Sequence, residues 1–302
     1  MSFQVLYPLA AKSKKMDEKT KIGFVGAGKA GFTLGKYFKE RGACVTGYFS
    51  RSKESAKEAA FFTGTKQFDA IEQVLEANDI LFLTVPDTAI EIIWNDLKKM
   101  QIKNKKICHC SGVLSSEVFD GINQMQAFGY SVHPLFAIHS KQNSYKEMAQ
   151  VLFSIEGDEK HIFDLKTFIE QMGNPVSIIK TQQKVKYHAA AVFLSNHIAA
   201  LAHVGYKLFH ECGFEKEIAD IALKTLFAGY CEAITLEGPV KTLTGPIERN
   251  DLSTVEKHLK YLDENERKLY ALLSKQLIDI AKEKNAEMDY SAMELLICSE
   301  IN

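Results

Sequence analysis

The sequence predicts an α/β protein, in which a Rossmann-type doubly wound parallel sheet is followed by an all-helical C-terminal domain. Near the N-terminus, residues 21–35 read as a strand, a glycine-rich loop and a helix. Apolar strand patterns then alternate with helical patterns to about residue 181, which is typical of βαβ units in a parallel sheet. Beyond that point the strand patterns disappear. We therefore predict an N-terminal extension over residues 1–20, a Rossmann domain over 21–181 and a helical domain over 182–302.

The glycine-rich loop follows the pattern G-x-G-x-x-G between the predicted strand Lys21–Val25 and the predicted helix. Gly26 would permit the tight turn, Gly28 would let the backbone approach a pyrophosphate, and Gly31 would let the helix lie close to the strand. The start of the helix would offer unpaired N–H groups and the positive end of its dipole. This context favours a dinucleotide site over a flexible glycine loop without a ligand. The predicted contacts are Gly26, Ala27, Gly28, Lys29, Ala30 and Gly31.

The end of the second strand indicates which dinucleotide is bound. Residues 43–49 are apolar and run into Ser50-Arg51-Ser52, and none of these residues is acidic. A site for NAD usually places an acid about 20 residues after the glycines, where it binds the ribose 2′-hydroxyl. Hydroxyls with an arginine would instead bind a 2′-phosphate, to which Arg51 can donate in a bidentate manner. The alternative is a solvated turn that begins the next helix. We predict NADP, bound by Ser50, Arg51 and Ser52.

Other strand ends should lie in the same crevice, because ligands of parallel sheets bind beyond the carboxyl ends of the strands. Two further apolar strand patterns end at Val85-Pro86 and at Ser111. We predict that these three residues contact the cofactor. His133 ends a later strand pattern and is a candidate catalytic residue, although a lone histidine at a strand end can also be purely structural.

Composition and charge exclude several other classes of protein. The 302 residues are 46% hydrophobic and 25% charged, with a formal net charge of −1, so a general nucleic-acid binder is not expected. We recognise no membrane-spanning apolar run and no signal peptide in the sequence, and expect a cytoplasmic protein without a membrane partner. The six cysteines show no C-x-x-C spacing, and strand alternation would separate His109 from Cys108 and Cys110. We expect neither a metal site nor a disulfide framework.

The helical half is predicted to contain three long helices. The first covers residues 184–212 and stops at Gly213, and the second covers 215–237 and stops before Gly238-Pro239. The third would open with a capping box at Ser253–Glu256 and run to about residue 284.

Four further segments carry a resemblance to a known family. They are residues 110–116 (CSGVLSS), 131–135 (SVHPL), 187–196 (YHAAAVFLSN) and 243–246 (LTGP) with Arg249 and Asp251. The chain resembles oxidoreductases built from a Rossmann-like domain and a C-terminal domain of unknown function, within the 6-phosphogluconate dehydrogenase-like superfamily. Ketopantoate reductase, pyrroline-5-carboxylate reductase and the coenzyme F420-dependent NADP oxidoreductases share this layout. The resemblance implies NADP as cofactor and a homodimer joined through the helical domain.

The resemblance also implies where catalysis would occur. In characterised relatives, the first long helix of the second domain often presents a lysine and an asparagine to the nicotinamide. On a continuous helix, Ser195 would lie about 20° and Asn196 about 80° from His188 around the axis. We predict His188 as proton donor, Asn196 as the residue that orients the substrate, and Ser195 as a substrate contact. His188 could instead be a buried structural histidine, and Lys184 lies one turn earlier.

The predicted reaction is hydride transfer between NADP(H) and a small carbonyl or imine in the cleft between the domains. Arg249 and Asp251, in a Gly-Pro loop, would bind the substrate, or would form an ion pair that braces the loop. One alternative is a non-catalytic NADP-binding redox sensor, which the lack of a lysine at the relatives' position would favour. Another alternative within the enzyme class uses coenzyme F420. Substrate identity does not follow from the sequence.

Overall fold

The computed structural model describes residues 20–301. Its sheet has eight strands in the order β3-β2-β1-β4-β5-β6-β7-β8, and neighbouring strands are parallel except β6 and β7, which are antiparallel. The strands are β1 Lys21–Val25, β2 Cys44–Phe49, β3 Lys66–Gln67, β4 Ile80–Leu83, β5 Lys106–His109, β6 Phe128–Pro134, β7 Phe153–Gly157 and β8 Val176–Ile178. The strand order reverses between β1 and β4, so their carboxyl ends border the crevice where such sheets bind ligands. The predicted α/β fold is confirmed.

The sheet is covered on both faces, which explains the continuous apolar character of its central strands. On one face, the ring of Phe24 stacks on Tyr48 at 5.2 Å and on Phe82 at 5.5 Å, so one aromatic side chain from each of three adjacent strands joins the same core. On the other face, Leu81 and Leu83 of β4 pack in a second core with Trp94. Alternate residues of a strand therefore serve opposite cores.

The described chain divides into two compact units, one up to Ser195 and the other from Asn196. The helices of the first unit are α1 Lys29–Glu40, α2 Lys53–Thr63, α3 Ile71–Ala77, α4 Asp87–Leu97, α5 Ile162–Gln171 and α6 Lys184–Phe193. Those of the second are α7 Asn196–Glu211, α8 Lys216–Ala222, α9 Ala228–Glu237, α10 Pro239–Thr242, α11 Leu252–Tyr261, α12 Glu264–Lys284 and α13 Ser291–Ser299. The predicted bounds 21–181 and 182–302 stay a prediction, as does the extension 1–20, of which residues 1–19 lie outside the described part.

The first predicted long helix is wrong as a single element, because α6 ends at Phe193 and α7 begins at Asn196. At the break, the Ser195 N–H donates to the carbonyl of residue 192 instead of residue 191, which tightens the last turn. The Ser195 hydroxyl donates a hydrogen bond to the carbonyl of Ala191 at 2.7 Å. A serine side chain that competes in this way with backbone N–H groups often bends or ends a helix. The predicted stop at Gly213 is confirmed by its φ of +84°.

The predicted capping box at Ser253–Glu256 is also wrong. The helix α11 begins at Leu252, because Asp251 accepts the hydrogen bond of the Thr254 N–H at 3.1 Å and so acts as the N-cap. A true capping box lies at the start of α12, where Asp263 and Glu266 accept each other's backbone N–H. Between these helices the chain is extended, so the predicted third helix is two. The helix α13 was not predicted.

One helical stretch, Thr181–Glu211, is long and apolar enough to cross a membrane by length and composition alone. Its most apolar window has a mean hydropathy of 1.2, and none of that window is buried. This stretch differs from the expectation that no apolar run of the chain is long enough to span a membrane. Exposed apolar helix surface of this kind is also what a protein–protein interface presents, so the finding does not by itself indicate a membrane.

Candidate functional site

The glycine-rich loop has the geometry that the sequence predicts. Gly26 has a φ of +107° in the turn between β1 and α1, and it donates its N–H to the carbonyl of Phe49 at 2.8 Å, which ties this turn to the end of β2. A methyl group on Gly31 would lie 2.4 Å from the Gly26 carbonyl oxygen and 2.7 Å from Thr84 Oγ1, so only glycine fits there. A methyl group on Gly28 would meet no protein atom within 4 Å. The space beside Gly28 is therefore open for a ligand.

The start of α1 has the features of an anion-binding site. Gly28 is the N-cap of α1, no side chain caps this end, and the first intrahelical bond runs from Phe32 N–H to the Gly28 carbonyl at 3.0 Å. The N–H groups of the preceding residues, Lys29 to Gly31, consequently have no acceptor within the helix. Such N–H groups at the positive end of a helix dipole bind phosphate. The residues present thus fit the pyrophosphate of a dinucleotide.

At the end of β2, the two serines have different roles. The Ser52 hydroxyl accepts from the Ser55 N–H at 3.1 Å and donates to the Glu54 carboxylate at 3.0 Å, so it caps α2, as the solvated-turn alternative supposed. Arg51 is exposed and Ser50 is half-buried. The pKa of Glu54 is lowered by hydrogen bonds from the Glu54 backbone and from the Ser52 side chain. Glu54 therefore places an anion in the first turn of α2, three residues after Arg51, and the positive charge of Lys53 acts on it.

The ends of β4 and β5 are joined by side chains at the crevice. Thr84 Oγ1 donates to the Gly26 carbonyl at 2.8 Å, and the half-buried Val85 follows it, with Pro86 exposed at the start of α4. The Ser111 hydroxyl donates to the Asp87 carboxylate at 2.8 Å. It also accepts from two backbone N–H groups of its own loop, which gives that loop its shape. The predicted cofactor contacts at these residues stay predictions, now with a structural role for the Ser111 hydroxyl.

Two histidines predicted from distant segments meet next to Gly112. The rings of His133, at the end of β6, and His188, on α6, have centroids 6.3 Å apart. A methyl group on Gly112 would lie 2.4 Å from His188 Cδ2 and 3.1 Å from His133 Nε2. His133 Nδ1 also shares a hydrogen bond of 2.9 Å with the Tyr187 hydroxyl. The loop after β5 and the helix α6 are therefore packed around these rings.

Lys184 is the residue of this site that the sequence reasoning did not select. Its side chain is buried, with 1% exposed, and its Nζ has no hydrogen-bond partner among the described residues. Burial lowers the pKa of Lys184 to about 8, and the negative charges of Glu156 and Asp87 oppose this shift. The spacing in the sequence could have pointed to Lys184, because it precedes His188 by four residues and so lies on the same face of the helix.

The two histidines that end neighbouring strands, His109 and His133, are neutral near pH 7. Burial is the main cause that lowers the pKa of His133 to about 3, and the positive charge of Lys184 acts in the same direction. Burial likewise lowers the pKa of His109 to about 4. His109 Nδ1 accepts from the Ser111 N–H at 3.2 Å, so Nε2 carries the proton that it shares with the Ser115 carbonyl at 3.1 Å. His133 is therefore suited to hydrogen bonding more than to proton donation.

The remaining predicted residues are not grouped by the structure. The angles of about 20° and 80° assumed one continuous helix, and they are wrong because α6 ends at Phe193. Asn196 is the first residue of α7, in the second unit. Arg249 is exposed and makes no ion pair within residues 20–301, so the predicted alternative of a pair with Asp251 is not seen. The Asp251 carboxylate is engaged in capping α11. Substrate binding by Arg249 and Asp251 stays a prediction.

Two family models match the chain, one in each half. Residues 9–134 match the family model of a Rossmann-like domain, and residues 151–277 match that of a domain of unknown function, DUF2520. The second match begins before β7, so it includes the last two strands of the sheet as well as helices of the second unit. Among curated proteins, no sequence matches this chain.

Several solved structures have a similar fold. Protein TM1727 from Thermotoga maritima is 27% identical with a TM-score of 0.71, covering 87% of this chain and 99% of that one. Protein BF3122 from Bacteroides fragilis, provisionally described as an NADP oxidoreductase, is 23% identical with a TM-score of 0.65 over 87% and 99% of the chains. Pyrroline carboxylate reductase from Plasmodium falciparum, with NADP bound, is 15% identical with a TM-score of 0.58 over 92% and 99%.

These matches agree with the motifs and with the sheet topology. The Rossmann match covers the glycine-rich loop and the ends of β4 and β5, and the DUF2520 match covers Lys184, Tyr187 and His188. The chain therefore combines a match to a Rossmann-like domain with a match to DUF2520 that follows it along the sequence.

Proposed function

We propose that the chain is an NADP-dependent oxidoreductase that moves a hydride between NADP(H) and a small carbonyl or imine. The observation that carries the proposal is the buried Lys184 amine, which has no hydrogen-bond partner among residues 20–301 and lies on the helix face of His188. Buried groups with a shifted pKa concentrate at functional sites. The similarity in fold to reductases supports the same class of reaction.

The residues of the first unit would divide the work. The loop from Gly26 to Gly31 and the start of α1 would hold the pyrophosphate, and NADPH would supply the hydride when bound. Lys184 would donate a proton to the developing alkoxide or amine, since a donor with a pKa near the working pH is most effective. His188 would lie beside it as a hydrogen-bonding group. The Tyr187–His133 hydrogen bond would fix the position of α6 against β6.

This assignment revises the proton donor predicted from the sequence. His188 was predicted because the relatives' lysine had no obvious equivalent, and that same absence favoured a redox sensor. Lys184 removes this argument for a sensor, because a buried amine is present on the same helix face. The direct test is NADPH oxidation, followed by absorbance, across a panel of 2-keto acids, ketolactones and cyclic imines. We expect turnover of at least one class. A failure of every member would favour the non-catalytic alternative.

We predict that NADPH binds more tightly than NADH, and that Arg51→Ala removes most of the difference. A lost charged contact to the 2′-phosphate costs about 1.5–3 kcal/mol, which is roughly ten- to a hundredfold in affinity. Calorimetric titration of both cofactors measures the ratio. Lys53→Ala is a matched control, because its Nζ lies 3.9 Å from the Asp69 carboxylate and can be removed without loss of Arg51. Equal affinities in the wild type would contradict the assignment to NADP.

We predict a homodimer joined through the second unit. Its helices expose several large apolar side chains, including Ile221, which is 59% exposed, and Leu226, which is 68% exposed. Sedimentation should show a dimer at micromolar concentration, and Leu226→Glu should shift it to monomer because a charge would be buried in the interface. Phe61→Glu, at a side chain 90% exposed in the first unit, is the control and should remain dimeric. A monomeric wild type would contradict the prediction.

The dimer would also account, without a membrane, for the part of the apolar stretch Thr181–Glu211 that lies in the second unit, which is α7. A second copy covering α7 would leave a cytoplasmic protein, as the sequence predicts. Fractionation of a cell lysate separates the two outcomes, and recovery of the chain only with membranes would contradict this location.

A further inference from the structure

The strand β7 carries a buried carboxylate, Glu156, for which the cofactor and substrate sites give no role. Only 1% of Glu156 is exposed. Its Oε1 accepts from the Ser116 N–H at 2.6 Å, and its Oε2 accepts from the Ser116 hydroxyl and the Thr181 hydroxyl, each at 2.9 Å. A buried charge is costly unless it is paired or hydrogen-bonded, so three donors indicate a built position.

The three hydrogen bonds connect two segments that the site requires. Ser116 follows the loop after β5 that contains Ser111 and Gly112, and Gly112 is the residue against which His188 packs. Thr181 lies in the turn of residues 181–183 that leads directly into α6, three residues before Lys184. Glu156 therefore joins the loop on one side of the site to the start of the helix on the other.

Glu156 also differs from every other group that acts on the Lys184 charge. The other groups are Asp87 at the start of α4, Cys110 after β5, His109 on β5, His133 on β6 and Tyr187 on α6 itself. Burial keeps His109 and His133 neutral, and it raises the pKa of Cys110 to about 12, so that thiol is neutral as well. Asp87 is exposed, and solvent weakens its effect. Glu156 is the buried anion of this set.

We propose that Glu156 is a positioning residue for Lys184. The Glu156 carboxylate holds α6 against the loop after β5, and it supplies the negative charge that stabilises the buried ammonium of Lys184. Only the consequence for catalysis, which is proton donation by Lys184, rests on the function proposed above. Lys184 and Glu156 do not form a salt bridge within 4.0 Å, so the amine keeps its donors for a substrate while the carboxylate acts through space. A direct pair would have occupied the amine.

The test is the pKa of Lys184 measured in the full chain with lysine labelled by ¹³C at Cε, with the resonance assigned from its loss in Lys184→Met. In Glu156→Gln the pKa of Lys184 should fall by roughly one pH unit or more, because an opposite charge nearby favours the charged form. Glu159→Gln is the matched control, since it is the same chemical change at an exposed position three residues later. It should leave the Lys184 pKa unchanged.

A second variant keeps the proposal open to refutation if Glu156→Gln does not fold. Glu156→Asp keeps the negative charge, but its side chain is one methylene shorter and the charge lies closer to β7. The pKa of Lys184 should therefore fall by less than in Glu156→Gln. An unchanged value in both Glu156 variants would overturn the proposal. Because the measurement needs no substrate, it is independent of the proposed reaction. A shifted Lys184 pKa together with full turnover by Lys184→Met would refute the catalytic role of Lys184 and leave the role of Glu156 intact.

Discussion

Lys184→Met is expected to lower kcat for NADPH-dependent reduction by about 10²–10⁴-fold, the usual contribution of a general acid. Methionine fills a similar buried volume but carries no proton. The affinity for NADPH should remain, because Lys184 lies on α6 and the pyrophosphate site lies between β1 and α1. Steady-state kinetics with any substrate found in the panel, together with calorimetric titration of NADPH, measures both quantities.

Two variants on the same helix make this result specific. Lys186→Met removes an exposed lysine two residues later and should retain full activity. His188→Ala tests the donor predicted from the sequence. If His188→Ala loses about 10²–10⁴-fold in kcat while Lys184→Met retains its rate, His188 is the proton donor and the assignment to Lys184 is wrong.

The pH dependence gives a further check with a defined sign. Because the ammonium form donates, kcat for reduction should be constant below the Lys184 pKa of about 8 and should fall about tenfold per pH unit above it. The free energy of unfolding should change with pH in the opposite direction to kcat. The folded pKa lies below the ordinary value of 10.5, so the unfolded chain binds more protons between about pH 8 and 10.5, and the free energy of unfolding should rise there. Lys184→Met should lack this contribution to the rise.

Gly28→Val is expected to lower NADPH affinity by at least about a hundredfold, or roughly 2.7 kcal/mol, with little change in Tm. A Cβ at this position meets no protein atom within 4 Å, so the folded chain accommodates it. The same Cβ would occupy the space through which the pyrophosphate approaches the start of α1. Calorimetric titration measures the affinity, and thermal unfolding without cofactor measures Tm.

Gly31→Ala provides the contrasting case. Its Cβ would lie 2.4 Å from a backbone carbonyl oxygen, which cannot move without displacing the turn, so this variant should lower Tm. Retention of NADPH affinity by a well-folded Gly28→Val protein would show that the cofactor does not approach at Gly28. The predicted binding loop would then be wrong.

The local sequence determined those features that depend only on residues close together in the chain. The turn at Gly26, the open side of Gly28 and the close packing at Gly31 follow from six consecutive residues, because each requirement concerns backbone conformation within one strand–loop–helix unit. The sheet was predictable for a similar reason, since burial on both faces leaves continuous apolar runs. Helix ends were less predictable, because competing caps at Asp251 and Ser253 differ by small free energies.

The catalytic candidates depended on the tertiary structure. A pattern of residues does not show whether a lysine is solvated or buried, and Lys184 is unusual only because groups from β5, β6 and β7 surround it. Glu156 gave no sequence signal, as its partners Ser116 and Thr181 lie 40 and 25 residues away. The sequence by itself determined the Rossmann-like fold and its glycine-rich loop. Only tertiary packing decided which buried groups share one environment, because desolvation and charge act through space.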